Sequence, residues 1–236
     1  NTKYANKVYA LMADMYLTCK NYHAALEALL EIEKPNAKVQ QTCLYLRYQL
    51  AADAFLQDKM SEVLKWTNEI ITKEVVTSEY KTEAYYLSAQ ASYRLRQYQQ
   101  TIENLEQYQQ QSNSIQSNNR KAAIYLKAYA LFSQKKYADA DPIYREYINT
   151  IGRDSNNRTY PDALNRLGDC LFHERKFQEA SEIYAQVAQL KSIGADYALM
   201  QNGYAQGLMH NYMNKVDILT SLTQEYPYSD YADDAL

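Results

Sequence analysis

Apolar and small residues recur along this chain in paired helical stripes. Leu164, Leu167, Gly168 and Leu171 stand at i, i+3, i+4 and i+7, the spacing of one helix face. Phe177, Ala180, Tyr184 and Val187 make a second stripe, and a short polar stretch separates the two. The spacing predicts two helices joined by a tight turn, with Gly168 and Ala180 letting the backbones approach. Pro161 and Asp162 suit the first turn of the leading helix. A proline there forfeits no hydrogen bond, and a carboxylate faces the positive end of the helix dipole. Neither helix can bury its stripe alone, so each pair needs a neighbouring pair.

The pattern returns through the chain. With Phe177 as an anchor, comparable anchors are Tyr22, Met60, Tyr98, Tyr137 and Tyr212, and the six follow one another at 38, 38, 39, 40 and 35 residues. Nine residues before them stand Ala13, Ala51, Ala89, Ala128, Gly168 and Gly203, all small. Three residues after them stand Ala25, Val63, Thr101, Ala140, Ala180 and Lys215; only the lysine breaks a small or β-branched series.

The run Leu164-x-x-Leu167-Gly168-x-x-Leu171, followed by Phe177-x-x-Ala180-x-x-x-Tyr184-x-x-Val187, resembles the tetratricopeptide repeat, a helix–turn–helix unit of roughly 34 residues. The resemblance covers nearly the whole chain. It is good in the first unit (Tyr9, Ala13, Tyr16, Tyr22, Ala25, Leu29) and the fourth (Ala128, Leu131, Tyr137, Ala140, Tyr144), and looser in the second and third. It implies an all-α fold, a right-handed α–α superhelical solenoid of about six units in a single domain over 1–236. The units would lie at about 6–39, 44–77, 82–115, 121–154, 161–194 and 196–229, with 230–236 opening a truncated seventh. On that reading the chain is a piece of a longer protein. Ser112 to Asn119 and Gly152 to Tyr160 read as loops, the former mobile from Asn113.

Composition narrows the function. With 5 Gly and 4 Pro the chain has few turns, so roughly three quarters of it is expected in helices and none in sheet. A net charge of -3 and a pI near 5.7 lack the basic excess of a nucleic-acid binder. Mean hydropathy is -0.60, and no apolar run is long enough to span a membrane. Gln97 to Asn119, rich in Gln, Asn and Ser, reads as a polar second helix and a solvated loop, since Leu105 and Tyr108 keep phase within it. Cys19, Cys43 and Cys170 have no CxxC spacing and read as small buried or half-buried thiols. His23, His173 and His210 sit near turns in different repeats, and no metalloprotease motif, nucleophile elbow or phosphate loop is present. Asp139 with Asp141, and Asp233 with Asp234, read as exposed carboxylates near helix starts. No catalytic residue, metal site, cofactor or small-molecule substrate is implied.

The remaining oddity is 25 Tyr against 4 Phe and 1 Trp. In the repeat family the first helices line a concave groove that binds peptides. The resemblance places there Tyr45, Tyr48, Tyr86, Tyr93, Tyr125, Tyr129, Tyr197 and Tyr204, the candidate partner-binding residues. Tyrosine offers stiff contact area with a polar tip. The competing reading is that these rings only pack neighbouring helices, as Tyr16, Tyr22, Tyr137, Tyr144 and Tyr184 are expected to do. Groove places twelve and eight residues before the anchors hold no basic side chain, which argues against the family's carboxylate clamp. The expected function is a non-catalytic scaffold for a protein or peptide partner. A sensor or accessory region of a larger enzymatic or signalling chain is the alternative, and a glycan platform a third. The segment from Tyr226 to Leu236 resembles repeat junctions of bacterial envelope proteins. That points to the periplasm or outer membrane, with a cytoplasmic setting still open.

Overall fold

The computed structural model describes residues 2–72, 79–152 and 158–235. Residues 153–157, the middle of the expected loop from Gly152 to Tyr160, lie outside the described residues. Among the described residues there is no strand. The chain divides into two compact units, Asn1–Arg120 and Lys121–Leu236.

The first unit holds three helix pairs: α1 (Thr2–Thr18) with α2 (Tyr22–Leu30), α3 (Ala37–Leu56) with α4 (Met60–Ile71), and α5 (Glu79–Arg94) with α6 (Tyr98–Gln110). The second is built from α7 (Arg120–Ser133) and α8 (Tyr137–Ile151), α9 (Thr159–His173) and α10 (Phe177–Leu190), and α11 (Ala195–Leu208) and α12 (Tyr212–Glu225). The short α13 (Ala232–Ala235) follows.

Each sequence anchor is the first residue of a second helix. The reason lies in the turn before it. Lys20, Asp58, Arg96, Lys135, Arg175 and His210, each two residues ahead of an anchor, all adopt left-handed φ between 56° and 64°. The hydrogen bonds are the same each time. Lys135 N–H donates to the Phe132 carbonyl at 2.8 Å and Lys136 N–H to the Leu131 carbonyl at 3.0 Å. The corresponding bonds close the other five turns. This is a Schellman cap, which satisfies the last carbonyls of the first helix. Glycine usually fills the left-handed position, so composition hid the turns: all six use a long or polar residue instead.

The small positions are all buried, as are the five small or β-branched residues after the anchors. The close approach differs in one respect from the sequence expectation. A Cβ on Gly168 would meet the Tyr184 ring at 2.5 Å, and one on Gly203 would meet Leu219 Cδ2 at 2.6 Å. The first helix therefore makes room for a large side chain seven residues past the anchor.

Tyr144 and Tyr184 are fully buried, as expected, whereas Tyr16, Tyr22 and Tyr137 are only half-buried. Tyr108, which keeps phase with Leu105, is buried with it, and Tyr147 and Tyr160 are core residues that the pattern did not single out. Cys43 and Cys170 are buried, but Cys19 is exposed, because it falls at the α1–α2 turn. Asp141 is buried and paired with Arg145 one turn on, not exposed. The expected loop at Ser112 to Asn119 contains a 3-10 turn (Ser112–Ile115), and the segment is tied down. The Ser117 hydroxyl and the Asn119 amide donate to the Glu83 carboxylate at 2.7 and 2.6 Å. In the first unit the buried Arg47 donates to Glu69 at 2.8 Å, joining α3 to α4. Trp66, the single tryptophan, lies half-buried on α4 with its ring edge-on to His23 at 6.1 Å.

Candidate functional site

The candidate tyrosines fall on the first helices of both units, and each unit arranges them differently. On α3, Tyr45 and Tyr48 are half-buried and gather around Tyr80 at the start of α5, each with ring centroids 5.9 Å from it. Tyr45 also meets Tyr22 at 6.5 Å. These rings lie against the buried clusters of Leu46 and Leu44, so they pack as well as face outward. Burial pushes the Tyr48 hydroxyl pKa up, and Glu83 and Glu79 push it further.

Tyr86 differs from the groove expectation. It is only 8% exposed, its ring lies 5.8 Å from Tyr108, and its hydroxyl accepts a hydrogen bond from Gln90 Nε2 at 3.2 Å. It fills the space between α5 and α6. Burial, with Tyr108 and Glu83 as lesser causes, raises its hydroxyl pKa to about 12. Tyr93 is half-buried against Tyr98 at 5.6 Å.

The second unit carries a denser arrangement, centred on α9. Asp162, Arg166 and Asp169 stand at i, i+4 and i+7 and so share one helix face. Arg166 Nη1 donates to Asp169 Oδ2 at 2.9 Å. Asp169 Oδ1 accepts from the hydroxyls of Tyr184 at 2.8 Å and Tyr197 at 2.7 Å. The Tyr125 hydroxyl donates to Asp162 Oδ2. The guanidinium lies 5.5–5.9 Å from the ring centroids of Tyr129, Phe132 and Tyr197. Tyr125 is wedged among Tyr129, Tyr144 and Tyr147, with the last at 4.9 Å.

The electrostatics follow from this geometry. Burial, then the adjacent Asp169 or Asp162 carboxylate, drives the hydroxyl pKa values of Tyr184, Tyr197 and Tyr125 upward. Burial opposes the charge of Arg166, but Tyr129, Asp169 and Asp162 around it outweigh that, so its pKa is raised. Arg166 Nε is nevertheless buried with no acceptor within hydrogen-bond reach. A buried unpaired donor of this kind costs about 1–3 kcal/mol.

The structure thus brings Tyr125, Tyr129 and Tyr197 together, sets Tyr45 and Tyr48 together separately, buries Tyr86 and leaves Tyr204 apart and 41% exposed. Arg166 and Tyr80 were missed in the sequence. The i, i+4, i+7 series of Asp162, Arg166 and Asp169 was the available signal. The groove places that lack a basic residue lie twelve and eight before each anchor, and Arg166 lies eleven before. Its charge is met by two aspartates. Among the described residues no cluster has metal-ligating composition, and no helix is long and apolar enough to cross a membrane.

No family model matches the chain. Over 89 residues it is 34% identical to a "Tetratricopeptide repeat protein 30 homolog" of Drosophila pseudoobscura pseudoobscura. That stretch is 38% of this chain and spans only 12% of the relative's length. Among solved structures, residues 41 to the end of MamA from Desulfovibrio magneticus RS-1 superpose with a TM-score of 0.64 at 16% identity, over 79% of this chain and 97% of that one. YrrB, described as a TPR protein with an unusual peptide-binding site, gives 0.64 at 16% identity, over 80% of this chain and 90% of its own. The six helix pairs among the described residues, their small-residue contacts and these superpositions together identify the architecture: the chain has the tetratricopeptide-repeat fold.

Proposed function

We propose that this chain is a non-catalytic scaffold that holds a segment of a partner protein along its first helices. The observation that carries the reading is the cluster on α7, α9 and α11. Tyr125, Tyr129 and Tyr197 are half-exposed, yet Tyr125 and Tyr197 are fixed by hydrogen bonds to Asp162 and Asp169. Rigid, partly exposed aromatic residues of this kind suit interaction surfaces, because little rotamer freedom is lost on contact. In the first unit Tyr45 and Tyr48 form a smaller companion patch; Tyr93 on α5 and, in the second unit, Tyr204 on α11 are further candidate contacts. The helix pairs read as six repeats of one solenoid, with α13 opening a seventh. The likeness to YrrB, whose description names a peptide-binding site, supports a peptide as the occupant. A bacterial envelope complex is the setting we favour, on the repeat junction at Tyr226 to Leu236 and the likeness to a Desulfovibrio protein.

The test is selection of peptides from a phage-displayed random library on the immobilised chain. Selected peptides are expected to lose about tenfold or more in affinity for a Tyr125→Ala, Tyr129→Ala variant, the loss of an interface anchor. Equal binding by that variant would move the site elsewhere. A second reading, an accessory region of a longer enzymatic or signalling protein, rests on the much greater length of the Drosophila relative. The complete coding sequence decides it, by the presence or absence of a fused catalytic domain.

A further inference from the structure

The chemistry of the second unit's face goes further than an aromatic patch. The inference rests on the proposal that a partner segment lies along α7, α9 and α11, and it concerns what α9 reads in that segment. Asp169 is saturated: its Oδ1 accepts from two tyrosine hydroxyls and its Oδ2 from Arg166 Nη1. Asp162 is not. Its Oδ2 accepts from Tyr125, but its Oδ1 stands 3.7 Å from Arg166 Nε, too far for a hydrogen bond, and receives no other donor among the described residues. Arg166 Nη2 likewise makes no hydrogen bond among the described residues. The side chains of Asp162 and Arg166 are 38% and 28% exposed. An open acceptor and an open donor therefore lie beside each other one helical turn apart, next to the rings of Tyr129 and Tyr197.

Charge decides what fits. A carboxylate reaching Arg166 would also meet Asp162 and Asp169. A cation reaching Asp162 would meet the guanidinium, which already lies over the aromatic faces. A neutral group that offers one N–H and one C=O on the same edge satisfies both atoms without either conflict. We propose that Asp162 and Arg166 together read an amide edge of the partner segment. The ligand N–H donates to Asp162 Oδ1, and the ligand C=O accepts from Arg166 Nη2. Two sources present that edge: a single residue of an extended strand, whose own N–H and C=O point the same way, and the carboxamide of an Asn or Gln side chain. Tyr125 and Asp169 are positioning residues here. The first holds Asp162 by its other oxygen, and the second holds the guanidinium by its other nitrogen.

The test is titration of the whole ¹⁵N-labelled chain, followed by NMR, with four small probes at constant ionic strength. N-acetylalanine N′-methylamide stands for the strand, acetamide for the side chain, and sodium acetate and methylammonium chloride for the two charges. Saturable shifts around Asp162 and Arg166 are expected with the amides and not with the ions. Tighter binding of the alanine derivative assigns the strand, and tighter binding of acetamide the carboxamide. In Asp162→Asn one oxygen remains for Tyr125, while an N–H donor replaces the open acceptor. Amide affinity is then expected to fall about tenfold, the loss of one hydrogen bond turned into a clash of donors. Arg166→Lys has a single ammonium, which Asp169 would hold, and should lose a similar factor with the helical circular dichroism unchanged. Acetate or methylammonium binding as tightly as the amides, no amide shift at α9, or an undiminished Asp162→Asn would each overturn the proposal. A library peptide that needs Tyr125 and Tyr129 but ignores Asp162→Asn would overturn the amide reading alone and leave the partner face standing.

Discussion

At Gly168 there is no room for a methyl group, because Tyr184 stands where it would go. Gly168→Leu should overpack the α9–α10 pair and cost about 1–3 kcal/mol, seen as a lower denaturation midpoint. Tyr184→Ala acts from the opposite side. It empties a fully buried site and removes a hydroxyl from Asp169, and should cost about 3 kcal/mol or more. The left-handed turn residues respond differently. A non-glycine residue there carries roughly 1–2 kcal/mol of backbone strain, partly offset by the roughly 0.4–1 kcal/mol that glycine forfeits through a freer unfolded chain. Lys135→Gly is therefore expected to stabilise by up to about 1 kcal/mol, and the β-branched Lys135→Val to destabilise by more than that. Chemical denaturation of the three proteins checks both signs.

Among the elements, α9 concentrates the polar interior of the second unit. Asp169 is buried and accepts three hydrogen bonds, so Asp169→Ala would strand two hydroxyls and a guanidinium. A loss of about 3–5 kcal/mol is expected, against less than about 1 kcal/mol for the partly exposed Asp162→Asn. This division was half legible in the sequence. Helix existence, pairing and the start of every second helix could be read, because a small residue nine before an aromatic or Met anchor is a packing rule that repeats. The turn chemistry could not be read from glycine, since the six left-handed positions carry Lys, Asp, Arg or His. The candidate site was visible as tyrosines but not as a network. A tyrosine at a first-helix position looks the same whether it packs on a core, as Tyr86 does, or points its hydroxyl at a carboxylate, as Tyr197 does. Partners on other helices, Tyr108 for Tyr86 and Asp169 for Tyr197, decide which, and no local pattern encodes them.

For the whole molecule, the buried phenols set an alkaline limit. Tyr86, Tyr125, Tyr144, Tyr184 and Tyr197 all have hydroxyl pKa values raised above the ordinary 10, chiefly by burial. Below pH 10 both folded and unfolded chains hold these protons, and the full stability is present. Above it the unfolded chain binds fewer protons than the folded one, so stability falls as pH rises. For Tyr86 the fall runs from about pH 10 to its folded value of about 12. In a spectrophotometric titration the buried set should ionise in a steep step that coincides with loss of helical circular dichroism. A single smooth titration with helix intact past pH 12 would contradict the burial of these rings.

Trp66 gives the two compact units a built-in optical label. It is the single indole, and it sits on α4 in the first unit. Intrinsic fluorescence excited at the indole edge therefore reports on the half of the chain that lacks Arg166 and its tyrosines, while far-ultraviolet circular dichroism reports on both halves. A lesion in the other half, such as Tyr184→Ala, is expected to move part of the dichroism transition to lower denaturant while the fluorescence midpoint stays in place. If both curves move together, the halves melt as one cooperative body, and the indole becomes a thermometer for the whole chain.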